Sequence, residues 1–370
     1  MDPSFSGVFE AALGTWEVPA AVVGVSIGGD EEVLAFGCGE DTRFRIASLT
    51  KPFTALLALE LLGLEERTGV WAPDVRIRHL LSHTSGYDCE VADMSSLERV
   101  AEQLPRVRRW LGAEQVWSYS NAGYWLAGLL CAAADDTSYE DALTRHVIRP
   151  LGLEATAFDE PELHGTGLDA NDGIYPVARN PSGGLVAHAR DVLRFGRRLL
   201  GVRQMRIVHG KPVAGVYGLG LSGERVGGVE VWGHGGSWGG FQSSLLTVPD
   251  RDAVFVGLTN GSRGGKALWE AEQEFLRHVV GETRVVRPTV TLPRPTLESL
   301  AGTFANSDGW YEVEALAAKL AVTIEDERYE ARPIADRTFE ITGGYRVRER
   351  FDFPRDGFGR FGGRLAERVA

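Results

Sequence analysis

Apolar positions recur at helical spacing over Phe5–Trp16, then give way to two β-rich runs, Ala20–Ile27 and Glu32–Phe36, around Gly28-Gly29-Asp30. Two such runs about a glycine-rich turn predict a β-hairpin. Thr42–Ala47 reads as a short extended segment, and Ser48–Leu64 returns to helical spacing. Pro52 fits a helix only in its first turn, so this helix must start near Ser48. From about Val70 to Leu200 the patterns are mostly helical, clearest in Asn121–Ala134, Ser138–Arg149 and Ala189–Leu200. Strand patterns return at Val229–Gly233, Gly240–Val248 and Ala253–Thr259, with His234–Gly239 and Pro249-Asp250-Arg251-Asp252 as the joining segments. A helix over about Lys266–Val280 follows. The order predicts an α+β fold: one antiparallel sheet flanked by helices and split in sequence by an all-helical subdomain, with a cleft where the two parts meet.

Val285–Pro295 holds three prolines and reads as an extended linker. Short alternating runs then appear at Trp310–Val313, Lys319–Ile324, Thr338–Ile341 and Tyr345–Phe353, separated by turns such as Gly343-Gly344. They predict a small C-terminal antiparallel β domain. The expected division is residues 1–283, a linker at 284–296, and residues 297–370.

Composition narrows the function. The chain has 370 residues, 44% hydrophobic and 24% charged, with 51 acidic against 39 basic residues and a net charge of −12. No basic run offsets that charge, so nucleic acid and anionic membrane surfaces are not expected partners. Cys38, Cys89 and Cys131 show neither disulfide-framework nor zinc-ligand spacing. Met1-Asp2-Pro3-Ser4-Phe5 lacks a basic leader start, and the most apolar helix, Pro52–Leu64, is shorter than the roughly 18 residues of a membrane span. The expectation is a soluble protein, cytoplasmic by default. Four lysines (Lys51, Lys211, Lys266, Lys319) among 39 basic residues leave 35 arginines. Each lysine is therefore worth a question.

Lys51 stands three residues after Ser48, where a helix puts an amine within reach of a hydroxyl, and it is followed by an apolar helix in which a surface lysine is out of place. Tyr119-Ser120-Asn121 opens another apolar helix; a phenol beside an ammonium can act as a base, although Tyr-x-Asn alone is more often a helix cap built on Ser or Asn. His234-Gly235-Gly236-Ser237 follows a strand, and glycines at that density let a substrate approach the backbone, or else make a hairpin turn. His79 and His83 lack a third ligand at metalloprotease spacing, so no metal and no cofactor are expected. Acidic neighbours at Asp88 and Glu90 would raise the Cys89 pKa and argue against a thiol nucleophile.

These motifs, in this order, resemble the penicillin-recognising serine hydrolases, in their class C β-lactamase-like branch of DD-peptidases, D-aminopeptidases and esterases. Phe44-Arg45-Ile46-Ala47, the stretch His79–Gly86, Arg149–Leu153 and Ser182-Gly183-Gly184-Leu185 agree, and the likeness covers about residues 15–280. The resemblance implies that residues 1–283 form a β-lactamase-like domain in which Ser48 attacks a carbonyl carbon while Tyr119 and Lys51 share its proton. Asn121 would hold the substrate amide or Lys51, the N–H groups of Ser48 and Ser237 would form the oxyanion hole, and Gly235 and Gly236 would line the substrate cleft. His234 stands where most β-lactamases have Lys; a mostly neutral imidazole attracts a carboxylate weakly, so β-lactam hydrolysis is demoted. His234 should support Tyr119 and titrate in the pH–rate profile between about pH 5 and 8. His83 is expected to bond backbone. The C-terminal domain resembles, more weakly, the lipocalin-like domains of some relatives and would cover the cleft, pair subunits, or simply pack. The expected activity is a metal-independent serine hydrolase acting on a peptide, amide or ester, with a small-molecule or peptide substrate and room for a homo-oligomer. Alternatives are an acyltransferase or peptide cyclase of the penicillin-binding-protein type, and a β-lactamase or non-turnover β-lactam sensor.

Overall fold

A computed structural model describes residues 3–168, 170 and 175–370. Met1 and Asp2, part of the N-terminal stretch read above for a leader, lie outside the described residues. Helix α1 (Pro3–Thr15) leads into β1 (Ala21–Ile27) and β2 (Asp30–Phe36), the expected hairpin, with Gly28 and Gly29 at φ 60° and 96° in the turn. A short strand β3 (Phe44–Arg45) and a 3-10 turn over Ala47–Leu49 precede α2 (Thr50–Leu61), with Pro52 in its first turn.

The helical region holds α3 (Ile77–Leu81), α4 (Leu97–Gln103), α5 (Asn121–Ala134), α6 (Tyr139–Leu143) and α7 (Asn180–Gly183). A π-helical turn over Thr144–Ile148 completes the stretch read as one helix from Ser138 to Arg149. Strand β4 (Val186–Ala187), which pairs with β3, and α8 (Ala189–Leu200) end the insertion. The sheet then resumes with β5 (Val216–Tyr217), β6 (Ser222–Val226), β7 (Val229–Trp238), β8 (Phe241–Val248) and β9 (Ala253–Thr259), followed by α9 (Gly264–Val280).

All neighbours in the seven-stranded sheet, ordered β2-β1-β9-β8-β7-β6-β5, run antiparallel. Alternate residues of its central strands face two different cores. Val22, Val254 and Val256 join the core under α8 and the helical insertion, whereas Val23, Val25 and Phe255 pack against Phe9, Leu268 and Phe275 of α1 and α9. Because both faces are covered, β1 and β9 read as continuous apolar runs.

Two strand assignments change. β5 and β6 were not legible, since Ser-Gly-Glu-Arg-Val carries no apolar alternation. β7 does not end at Gly233 but runs through the glycines to Trp238, and the turn is Gly239-Gly240, both at positive φ. Glycine is used at 236 for close packing, because a Cβ there would lie 2.1 Å from the Ile46 carbonyl oxygen.

After an extended stretch, α10 (Arg294–Leu300) begins with Pro295 in its first turn. Eight antiparallel strands then close into a barrel: β10 (Gly302–Asn306), β11 (Gly309–Ala315), β12 (Leu320–Ile324), β13 (Glu327–Ala335), β14 (Thr338–Ile341), β15 (Arg350–Arg355), β16 (Phe358–Phe361) and β17 (Arg364–Arg368). β10 closes on β17 through Phe304↔Arg368. Phe304, Phe339, Phe351, Phe353 and Phe361 fill the interior, with ring centroids 5.5–6.2 Å apart. Such a barrel is a packed body rather than a ligand cup.

The barrel is bolted to the helical region at two segments of chain. Tyr119 N–H donates to the Gly363 carbonyl (3.0 Å), and Leu365 N–H donates to Ser118 Oγ (3.0 Å). Glu90 N–H donates to Ser307 Oγ (3.1 Å), and Ser307 N–H to Asp88 Oδ2 (3.1 Å). Arg360, buried, is held by both oxygens of Asp352 (2.8 and 2.6 Å) and donates to the Trp117 carbonyl (2.9 Å). Arg360→Ala leaves Asp352 and that carbonyl without their donor, so it should cost about 3–5 kcal/mol. A denaturant titration checks this, and an unchanged midpoint would mean that the docking does not depend on this pair.

Candidate active site

Ser48 sits in the 3-10 turn, two residues before the start of α2, and so one helical turn from Lys51. The chain is forced into place there: Ala47 has φ 47°, a left-handed conformation that costs a non-glycine residue about 1–3 kcal/mol. Ile46 on its other side is clamped by Leu185 and by Ser243 Oγ, which donates to its carbonyl at 2.7 Å.

Lys51 is fully buried, on a helix whose residues from Thr50 to Ala58 are all buried. Its Nζ lies 3.1 Å from Ser48 Oγ and 2.7 Å from the Ser182 carbonyl oxygen, and among the described residues no carboxylate lies within ion-pair distance. Burial therefore pulls its pKa well below the ordinary lysine value; Glu90 opposes that shift and the Arg179 and Arg364 guanidiniums add to it. A neutral amine beside a hydroxyl is a general base.

Tyr119, just before the Ser120 cap of α5, donates its hydroxyl to Ser48 Oγ at 2.9 Å. The sequence suggested a phenolate here, but burial raises the Tyr119 pKa and keeps it a phenol. Asn121 does not reach Lys51: its Nδ2 donates to Glu90 Oε1 at 2.5 Å, and Arg179 approaches the same carboxylate at 3.4 Å.

Ser237 borders the chamber that Ser48 opens into, together with His234, Gly235 and Gly236. Pairing between β6 and β7 stops at Gly233, so residues 234–238 leave one edge of β7 without a partner strand. The two-residue Gly239-Gly240 turn makes Trp238↔Phe241 a hydrogen-bonded pair, and by alternation Ser237↔Gln242 is not one. The Ser237 N–H consequently points off the free edge, as an oxyanion donor must. Gly235 leaves room for substrate, whereas Gly236 is glycine because of the Ile46 carbonyl.

His234 lines this chamber with both nitrogens engaged. Its Nδ1 is 2.6 Å from the Gly235 carbonyl oxygen, so Nδ1 carries the proton, and Nε2 accepts from the Tyr217 hydroxyl at 3.1 Å. Burial, with Lys51 adding to it, lowers its pKa to about 3. The expected titration of this imidazole between pH 5 and 8 is therefore corrected. His83 accepts the Ser120 N–H at 3.0 Å, as anticipated, and its Nε2 has no partner. His79 bonds Glu114 and the Arg76 N–H instead of sharing a ligand with His83. Burial, more than the acidic neighbours, raises Cys89 to about 12.

Local spacing did not disclose Glu90, Ser182, Tyr217 or Arg364. Arg364 is the most distant in sequence: it comes from the barrel, donates to Asp308 (2.5 Å) and Cys89 Sγ (3.1 Å), and borders two chambers of about 650 and 490 Å³ that meet at Ser48. A glycine pair at 362–363 before β17, both at positive φ, was the available sign of a tight hairpin tip.

An antiparallel sheet with a helical insertion, and a serine, lysine and tyrosine in hydrogen-bond contact at their junction, define a serine β-lactamase-like protein. The Beta-lactamase family model matches residues 5–276, and the chain belongs to that family. It is 27% identical to penicillin-binding protein 4 of Amycolatopsis lactamdurans, over 81% of this chain and 97% of that protein. The crystal structure of SurE with D-Leu superposes with a TM-score of 0.81 at 25% identity, covering 99% of both chains. The D-stereospecific amidohydrolase from Streptomyces sp. has a TM-score of 0.59 at 25% identity, covering 71% of this chain and 97% of that one. Among the described residues, no helix is long and apolar enough to cross a membrane.

The shifts fix two pH responses. His234 and His83 both have folded pKa values below the free histidine value of about 6.5. The unfolded chain then binds more protons, and stability should fall as pH drops from about 6.5 towards 3. His234→Gln should flatten that fall. Any acid limb of kcat/KM should report Lys51 and keep its midpoint in His234→Gln; a shift of more than about one unit would return the titration to His234. Lys51→Met, free of the buried amine, should abolish turnover while raising Tm by about 1–2 °C per kcal/mol relieved.

Proposed function

We propose that this chain is a serine hydrolase that forms an acyl-enzyme on Ser48 with a peptide, amide or ester whose acyl-donating residue has the D configuration. The carrying observation is that Ser48 Oγ lies 3.1 Å from an amine whose pKa burial lowers and 2.9 Å from a phenol. Lys51 takes the Ser48 proton as the Oγ–C bond forms, and the N–H groups of Ser48 and Ser237 receive the oxyanion. The proton passes to the leaving group, by way of Lys51 or the Tyr119 hydroxyl, as the carbonyl bond to it breaks. Asn121, fixed by Glu90, faces the substrate amide, while His234 and Tyr217 form a neutral wall. The D configuration is supported by the names of two relatives, the SurE structure with D-Leu and the D-stereospecific amidohydrolase.

Two chambers meeting at Ser48 favour a second reading of the deacylation step, transfer of the acyl group to an amine held in one chamber while the donor occupies the other. Water and amine then compete for one acyl-enzyme. A neutral His234 offers a free carboxylate less than an ammonium at that position would, and Arg364, which borders both chambers, is already paired with Asp308, so β-lactam turnover should be low.

Incubation with p-nitrophenyl esters of N-acetyl-D-leucine and N-acetyl-L-leucine tests the proposal. Intact mass should show one acyl adduct, absent in Ser48→Ala, and kcat/KM should favour the D ester by at least about tenfold. An adduct elsewhere, or an L preference, sinks it. Product analysis with added primary amine separates hydrolysis from transfer.

A further inference from the structure

We propose that the cavity between the sheet and the barrel is a subsite for a carboxylate carried by the substrate several residues from the carbonyl that Ser48 attacks. This rests on the Ser48 reading above and extends it to the length and charge of the substrate. The cavity is about 1020 Å³ and continues the Ser48 chamber, since Ser237, Gln242, Gly265 and Arg284 border both. Volumes of roughly 300–1,000 Å³ already house drug-sized ligands, so the two together suit an extended oligopeptide.

Charge distinguishes this cavity from the rest of an acidic chain. Its carboxylates are all engaged: Glu224 with Arg284, Glu325 and Glu349 with Arg346, and Glu340 with Arg350. Among the described residues, three of its cations have no carboxylate within ion-pair distance. Lys266 bonds only the Val347 carbonyl oxygen, at 2.6 Å, which leaves two of its three N–H donors available. Arg348 stacks over the Trp269 ring at 4.0 Å, an arrangement that leaves its in-plane donors free for a bidentate partner. Arg287 is exposed on the linker. The unbalanced charge in the cavity is thus positive within a chain of net charge −12. Burial lowers the Lys266 pKa, a cost that an incoming anion would offset. On a peptide, the anion that meets these donors is a carboxylate.

Direct binding tests this without relying on turnover. The full chain carrying Ser48→Ala is titrated calorimetrically with two hexapeptide amides containing D-Leu, identical except for Glu or Gln at the residue farthest from the D-Leu carbonyl. The Glu peptide should bind about tenfold more tightly, and added salt should shrink the difference. Arg348→Ala, an exposed position, and Lys266→Met should each bring the ratio towards one. A merely structural role for Lys266, bracing the barrel through Val347, would leave the ratio intact. Equal affinity for both peptides, no binding of either, or a Glu preference untouched by both substitutions overturns the subsite. Ser48 acylation by a short D-leucine ester in the wild-type chain is scored separately. If it succeeds while the peptide ratio is one, only the subsite falls; if it fails, the Ser48 reading falls.

Discussion

A lysine buried without a carboxylate is the constraint around which the site is arranged. An ammonium in an apolar interior is costly, so burial lowers the Lys51 pKa, and among the described residues its hydrogen-bond partners are neutral, the Ser48 hydroxyl and the Ser182 carbonyl. The surroundings are built around that nitrogen. The Tyr119 and Tyr124 rings face it at 4.7 and 5.5 Å, contacts that favour the charged form and oppose the effect of burial. α7 has to deliver the Ser182 carbonyl, and it is held by Trp125, whose indole N–H donates to Ser182 Oγ at 2.9 Å. Thr54, one turn along α2 from Lys51, ties the preceding Pro181 carbonyl at 2.7 Å. The apolar character of α2 is therefore part of the chemistry, because a wetter helix would remove the burial that lowers the Lys51 pKa.

The second dependence is on the barrel. Tyr119 is placed by its own hydrogen bond to Gly363, and Arg364 of the same hairpin borders both chambers at Ser48. Residues nearly the whole chain apart thus share one site. With phenylalanines filling the barrel interior, its contribution is made by its rim: the hairpin at Gly362-Gly363, Ser307 against Glu90, and the 345–350 segment along the larger cavity. The barrel acts as a wall that narrows a cleft otherwise open along the β7 edge.

What could be read from the sequence follows from this. Ser48 with Lys51, and Tyr119 with Asn121, sit at the starts of helices, where spacing of two or three residues fixes the geometry. The sheet was legible where strands are buried on both faces, as in β1 and β9, and illegible at its polar edge, as in β6. Glycines in His234–Gly239 suggested a turn because local rules cannot see the Ile46 carbonyl that requires Gly236. The Glu90 partner of Asn121 was hidden for the same reason, since it reaches Asn121 across 31 residues. Closure of the barrel depends on Phe304 meeting Arg368, a pairing that no local pattern announces.

The unusual ratio of arginine to lysine also acquires a physical meaning. Buried or half-buried cations that serve architecture are arginines with carboxylate partners: Arg360 with Asp352, Arg284 with Glu224 and Glu272, Arg45 with Glu160. Guanidinium keeps its proton at any usable pH and spreads its donors over two acceptors, so it can be fixed permanently in such pairs. Lysine, by contrast, responds to burial by losing its charge. Of the four lysines, Lys319 is an ordinary surface partner of Glu330, while burial lowers the pKa of both Lys51 and Lys266, that of Lys51 further. The same side chain is thus used twice for its responsiveness, once as a base under the nucleophile and once, by our proposal, as a cation that an anionic substrate would stabilise. Replacing either by arginine would keep a positive group but remove the property for which the position is suited.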